Sequence, residues 1–190
     1  MPIPSEKTIL RTKCVVLGAQ STGKSALLER FHSDGASYPK PYTMTLHADL
    51  LVKSVNIPET NVAVEMYFVD VGGWEGFEGE IGKYAEGATS FMIVFDPSHL
   101  ESFKGVAKYL GVLRKGRGGK GVPGILISAK SDLPPVRRLV SHQQAQEFAK
   151  QHGLGCFETS AATNSDVEAP FYYLANAFYE AHLDEVGGRG

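Results

Sequence analysis

Apolar positions along the chain follow two alternating patterns. Lys13-Cys14-Val15-Val16-Leu17, Ser90–Phe95 and Gly121–Ser128 are short and almost wholly apolar, as strands buried on both faces of a parallel sheet are. Asp49–Ile57 and Val62–Asp70 alternate in part and flank the turn Asn56-Ile57-Pro58-Glu59-Thr60-Asn61, which predicts an edge hairpin. Cys156-Phe157-Glu158-Thr159 is a short last strand. Helical stretches lie between the strands. One runs from about Gly23 to His32. Ser98-His99-Leu100-Glu101 and Ser141-His142-Gln143-Gln144 each match a capping box, with Ser at the N-cap and Glu or Gln three residues on. The last helix spans about Ser165–Leu183, and Pro170 delays its start by a turn. Val167, Phe171, Leu174 and Phe178 share one face of it and point at the core. Tyr172, Tyr179 and Leu183 form a second stripe, readable as a docking site or as cover for the domain itself. Strands alternating with helices predict a doubly wound α/β sandwich with a mostly parallel sheet.

Composition narrows the class. A chain of 190 residues fits one domain, set here at 10–183 with short tails at 1–9 and 184–190. Apolar residues at 43% and charged residues at 21% are globular values. A net charge of −2 argues against a strongly basic nucleic-acid clamp. Two cysteines exclude a disulfide scaffold, and Cys14 and Cys156 read as buried small apolar groups. None of the six histidines has metal-ligand spacing. The basic loop Arg114–Gly121 reads as a solvated connector. The apolar runs are far shorter than the roughly 20 residues a spanning helix needs. The start has no export signal, Pro2 excludes myristoylation, and no terminal cysteine is available for a prenyl chain. The expectation is a soluble protein without a direct membrane anchor, placed by its partners.

The chemistry begins at Gly18-Ala19-Gln20-Ser21-Thr22-Gly23-Lys24-Ser25, a full G-x-x-x-x-G-K-[S/T] match after a strand and before a helix. Such a loop aims backbone N–H groups at a phosphate, aided by the helix N-terminus. Ser21, Thr22, Gly23, Lys24, Ser25 and Ala26 are the candidate phosphate-binding residues. Lys24 would reach the β- and γ-phosphates, and the Ser25 hydroxyl would bind Mg²⁺. Asp70-Val71-Gly72-Gly73 ends a strand with a carboxylate placed to hold Mg²⁺ through water, and Gly73 lets its N–H approach the γ-phosphate. Ala129-Lys130-Ser131-Asp132 follows another strand. Asp132 would accept two hydrogen bonds from guanine N1 and N2, while adenine would leave it unpaired. The Lys130 stem would lie over the base. Ser160 and Ala161 would offer backbone N–H groups to the guanine carbonyl. Gly72, Gly73, Gly76, Gly79 and Gly82 make a segment suited to ordering only around a γ-phosphate.

This order of motifs resembles the Ras-like small GTPases, and Phe95-Asp96-Pro97-Ser98-His99-Leu100-Glu101-Ser102-Phe103 looks Rab-type. Ser33-Asp34-Gly35-Ala36, Tyr42-Thr43-Met44-Thr45, Asp49-Leu50-Leu51-Val52-Lys53-Ser54-Val55, Cys156-Phe157-Glu158-Thr159-Ser160 and Glu168-Ala169-Pro170-Phe171 are similar to the Rab-like GTPase subunits of intraflagellar transport complex B, found in cilia and flagella. The resemblance implies a P-loop G domain, a three-layer sandwich on a six-stranded sheet with one antiparallel edge strand. It implies GTP/GDP and Mg²⁺ as ligands, and a switch and assembly role. It implies a heterodimer with a small jelly-roll-like subunit inside the larger complex, at the cilium or flagellum, the basal body and the cytoplasm. It also implies a switch threonine ligating Mg²⁺. Thr45-Leu46-His47-Ala48-Asp49 keeps the T-x-G-x-D spacing with His for Gly, and is preferred to Thr43, which keeps the family's distance from Lys24.

Three departures bear on catalysis, and no catalytic residue is assigned. Trp74 stands where hydrolytic members carry the water-orienting glutamine, and indole only donates. Gln20 would crowd an incoming arginine finger. Ala129 replaces the asparagine that opens the base-reading motif, a loss of about 1–3 kcal/mol. The expected protein binds GTP and GDP with modest affinity and hydrolyses GTP slowly. The alternatives are a pseudo-GTPase scaffold and a P-loop kinase for a small metabolite, in which Asp132 and Ser160-Ala161 would have no task.

Overall fold

A computed structural model describes residues 6–38, 44–73, 79–115 and 121–187. Thr43, Trp74 and Gly76, and residues 116–120 of the basic loop, lie outside the described residues. In chain order the elements are β1 (Thr8–Leu17), α1 (Lys24–His32), β2 (Ala48–Asn56), β3 (Val62–Val71), α2 (Ile81–Ala85), β4 (Ser90–Phe95), α3 (Leu100–Lys104), α4 (Val106–Lys115), β5 (Gly124–Ser128), α5 (His142–His152), β6 (Gly155–Glu158) and α6 (Ala169–Gly187).

The six strands form one sheet in the order β2-β3-β1-β4-β5-β6. Only the β2–β3 pair is antiparallel, and the other neighbours run parallel. This is the expected three-layer α/β architecture. Every residue of β4 and β5 is buried, as their unbroken apolar runs require.

The two faces of the sheet carry separate cores. On one, α1 and α6 bring Leu27, Leu28, Phe31, Phe171 and Leu174 onto Val64, Met66 and Phe68. Phe31 and Phe171 stack with ring centroids 3.8 Å apart, and Phe68 meets both edge-on at 6.0 and 5.4 Å. On the other face, α2, α4 and α5 cover Leu17, Ile93, Phe95 and Leu126 with Ile81, Leu110, Leu113 and Ala149. No helix among the described residues is long and apolar enough to cross a membrane.

Local sequence signals were realised unevenly. The Ser141 capping box forms in full: the Ser141 side chain takes the Gln144 N–H, and the Gln144 side chain takes the Ser141 N–H. The Ser98 box does not form. Asp96 captures both the N–H and the hydroxyl of Ser98, at 2.8 and 2.7 Å, and α3 starts from an uncapped His99. A carboxylate two residues upstream outcompetes the helix end for that hydroxyl. Strand β1 begins at Thr8, well before Lys13, because its early residues pair with Val62–Met66 of β3. Helix α6 begins at Ala169, leaving Pro170 in its first turn where its missing N–H costs nothing. Val167, Phe171 and Leu174 are buried and Phe178 packs partly buried beside them. The second stripe divides: Tyr179 packs against the core, while Tyr172 and Leu183 stay exposed.

Cys14 is fully buried, and burial pushes its thiol up to about 12, against a hydrogen bond with Ser90. Cys156 is half-buried, and burial together with the Glu158 charge pushes it up to about 11. Neither is a thiolate at neutral pH, as expected of packing residues.

Candidate functional site

Parallel strands end together at one edge of the sheet, so the segments that follow them converge there. After β1 comes the Gly18 loop, after β3 Gly72-Gly73, after β4 Asp96, after β5 Ala129–Asp132 and after β6 Thr159–Ala161.

The loop geometry explains its glycines. Gly18 has φ +150, and a Cβ there would lie 2.1 Å from the Val94 carbonyl oxygen. Gly23 has φ +100 and is the N-cap of α1. Thr22 turns its buried hydroxyl back to the Ala19 carbonyl at 2.9 Å. That leaves its backbone, not its side chain, for the cleft. Lys24 is only 6% exposed and donates to the carbonyls of Gly18 at 2.9 Å and Ala19 at 3.1 Å. Burial lowers its pKa, and the Asp70 charge opposes this. Gly73 rests directly on the loop. A Cβ on it would fall 2.4 Å from the Gly18 oxygen and 2.6 Å from the Gln20 nitrogen. Gln20 itself reaches across to the Met44 sulfur at 3.1 Å.

Three oxygen-bearing side chains meet beside Lys24. Ser25 Oγ donates to Asp70 Oδ2 at 2.5 Å and lies 3.1 Å from Thr45 Oγ1. Asp70 is 1% exposed, and its Oδ1 is buried without a hydrogen-bond partner. Burial raises the Asp70 pKa, opposed by the Ser25 hydrogen bond and the Lys24 charge and assisted by Asp49. An orphaned carboxylate oxygen between two hydroxyls suits a hard cation with oxygen ligands. Among the described residues no group of three or more His, Cys, Asp or Glu can hold a metal. A cation here would therefore complete its shell with water and phosphate oxygens, as Mg²⁺ does. These residues, with Ser21, Ala26, Tyr38 and Gly73, line a cleft of about 560 Å³.

A second cavity of about 160 Å³ adjoins it and shares Gly23, Ala26, Tyr38 and Lys130. Ala129, Asp132, Ala161 and Ala162 also line it. Lys130 adopts φ +57 and donates to Asp96 Oδ2 at 2.5 Å. Burial pushes the Asp96 carboxyl up, but hydrogen bonds from Lys130 and Ser98, with the Lys130 charge, hold it below the ordinary value. Asp132 Oδ1 accepts the Ser160 hydroxyl at 2.6 Å. Ser160 is fully buried, and its N–H goes to the Ser165 carbonyl at 3.0 Å. It therefore orients Asp132 from behind rather than offering its amide to a base. Arg138 clamps the same loop, donating to the carbonyls of Ser131 and of Leu133 (3.1 Å) and to Glu158 at 3.1 Å.

Ser25, Thr45 and Asp70 thus come together, as do Lys130, Asp132 and Ala161. The sequence reading missed Tyr38, which borders both cavities, and the outer partners Asp96 and Arg138. Tyr38 stands in no motif, and its role depends on where the chain after α1 passes. Asp96 reaches Lys130 and Arg138 reaches Glu158 across many residues of sequence, and Arg138 also bonds carbonyls five and seven residues back, none of which motif spacing reveals.

Comparison with known proteins agrees with this geometry. The Ras family model matches residues 13–180. The chain is 38% identical over 177 residues to the human intraflagellar transport protein 27 homolog, covering 93% of this chain and 95% of the relative. It is 36% identical over 180 residues to intraflagellar transport protein 27 of Chlamydomonas reinhardtii, covering 93% and 88%. The Ras-related protein Rab-10 of Caenorhabditis elegans is 28% identical over 165 residues, covering 87% and 79%. The chain therefore belongs to the Ras family, as a Rab-like small GTPase of the intraflagellar transport protein 27 family.

Proposed function

We propose that the protein is a GTP- and GDP-binding switch and assembly subunit of an intraflagellar transport complex, with slow hydrolysis. The observation that carries this is the continuous cleft with phosphate-type groups at one end and Asp132 at the other, joined through Lys130 and Tyr38. Its two unlike ends, Lys24 with hydroxyls at one and a carboxylate at the other, suit a nucleotide. Loop N–H groups and Lys24 hold the phosphates, and Asp132, oriented by Ser160, takes the donors of guanine. Ser25, Thr45 and Asp70 hold Mg²⁺, the last through water. Held by these residues, Mg²⁺ would supply positive charge against the phosphates. Thr45 then ties the segment before β2 to the γ-phosphate side of the cleft, and Gly73 does the same for the segment after β3. Loss of that phosphate releases both.

Hydrolysis is slow in this reading because Trp74 cannot accept a proton from an attacking water. Gln20, already against Met44, narrows the approach of an arginine from an activating partner. The partner proposed is a small jelly-roll-like subunit of the same complex. The exposed Tyr172 and Leu183 of α6 offer it an apolar surface. The site of action proposed is the cilium or flagellum, its basal body and the surrounding cytoplasm.

Exchange with fluorescent GDP, GTP and ATP tests the reading. Guanine-only binding supports it, absence of binding supports a scaffold, and ATP preference supports a kinase. Single-turnover hydrolysis then addresses rate. We expect a value at or below the roughly 10⁻⁴ per second of unassisted Ras, and expect Trp74→Gln to raise it or leave it equal. A wild-type rate well above that value, or a collapse in the variant, overturns the slow-hydrolysis reading.

A further inference from the structure

Arg30 lies at the end of α1, outside every motif read from the sequence, yet its guanidinium joins both loops that border the base cavity. Nε donates to the Ala161 carbonyl at 2.7 Å and Nη2 to the Ala162 carbonyl at 3.3 Å. Nη1 donates to the Gly35 carbonyl at 2.5 Å. The same group sits 5.2 Å from the centroid of the Tyr38 ring. Ala161, Ala162 and Tyr38 all line the smaller cavity. A second contact joins these loops independently. Gly35 has φ +80 and lies so close to Asn164 that a Cβ would fall 2.5 Å from its Nδ2. The turn leaving α1 is therefore docked on the loop after β6 at two places.

We propose that Arg30 is a positioning residue for base recognition, holding the Ala161-Ala162 loop and Tyr38 in fixed relation around the guanine. This rests on the guanine-nucleotide reading above. A planar guanidinium donates from three nitrogens in a fixed fork and so holds carbonyls on two loops at set directions, whereas a lysine offers a single freely rotating ammonium nitrogen. Two of the three bonds fix a loop whose backbone would face the 6-carbonyl of guanine. Adenine has an amino group at that position, so a rigid loop rejects it and a loose loop rejects it less. The third bond and the ring contact carry the same restraint to Tyr38, across the base. Arg30 thus makes the two walls of the base cavity a single unit without touching the nucleotide.

The test measures fluorescent GDP and ADP dissociation from the full chain with Mg²⁺, for the wild type, Arg30→Ala and Arg30→Lys, alongside melting temperature. We expect GDP release to quicken roughly tenfold in Arg30→Ala, with ADP release nearly unchanged, so that the preference for GDP narrows. Arg30→Lys falls between. A purely structural role would lower the melting temperature of the variants while leaving the GDP-to-ADP ratio as in the wild type, and that result overturns the inference. Arg30→Lys supplies the reading if Arg30→Ala fails to fold. A wild-type protein with no preference for GDP overturns the guanine-nucleotide reading and the inference with it. A wild type that prefers GDP, with variants that keep the preference, overturns the inference alone.

Discussion

Ala129 and Lys130 show how one substitution shifts work onto neighbours. Ala129 is buried, and its Cβ lies 3.8 Å from the point where a Cβ on Gly23 would sit, so a longer side chain here projects toward the phosphate loop. An asparagine would bond that loop and the base together. We expect Ala129→Asn to tighten GDP binding by about 1–3 kcal/mol, ten- to a hundredfold, in a fluorescence titration. Unchanged affinity would mean that the outer contacts already supply the missing restraint. Chief among these is the Lys130–Asp96 pair, whose carboxylate is held below its ordinary pKa. A depressed folded pKa contributes stability above the unfolded value, near 3.9, and loses it as pH falls through the folded value. Asp96→Asn should therefore be less stable than wild type at pH 7, with the two urea-unfolding midpoints converging below about pH 4. A gap that stays constant into acid would remove the ionic account. The phosphate motif and Asp132 were legible because their chemistry demands a local pattern. Tyr38, Arg30 and Asp96 were not, because each works through partners brought near only by the fold.

Helix α6 illustrates what periodicity decides at the level of elements. The three-residue spacing of Phe171 and Leu174 placed them in the core, and both are fully buried. The stack of Phe171 on Phe31, with Phe68 at the edge of both, ties α6, α1 and β3 into one aromatic cluster. Since α1 starts at the phosphate loop, this cluster also sets where that loop sits. Phe171→Ala should cost about 3–5 kcal/mol in chemical denaturation, with weaker nucleotide binding as a secondary effect. A loss under about 1 kcal/mol would show that the site collapses around the gap. The strands were equally legible, since unbroken apolar runs gave β4 to the residue and the end of β5, whose start lies three residues inside the run. Their ends were less so. The extra length of β1 depends on pairing with β3, a long-range partner invisible to a local window. The unused Ser98 cap came from competition by Asp96, which the motif alone does not weigh.

Across the whole molecule, the site draws one group from each of five strand ends and touches both halves of the sheet. The proposed nucleotide would therefore act as a cross-brace between β3 at one side and β6 at the other. Asp70 Oδ1 is buried without a hydrogen-bond partner, and leaving such a group unpaired costs about 1–3 kcal/mol. On the proposed reading, Mg²⁺ bound with nucleotide would relieve that cost and add its own binding energy. At a free concentration one hundred times Kd, ligand stabilises the fold by about 2.7 kcal/mol. For a domain of this size each kcal/mol raises Tm by roughly 2–4 °C, so GDP with Mg²⁺ should raise Tm by roughly 5–10 °C. The increase should grow with the logarithm of nucleotide concentration, and EDTA should remove much of it. Asp70→Asn should show a GDP shift that no longer responds to Mg²⁺, since the substituted group no longer supplies the charge the cation needs. Equal shifts in Mg²⁺ and EDTA for the wild type would show that Ser25, Thr45 and Asp70 hold no cation. A shift equal for ADP and GDP would show that the brace ends at the phosphates, with Asp132 taking no part.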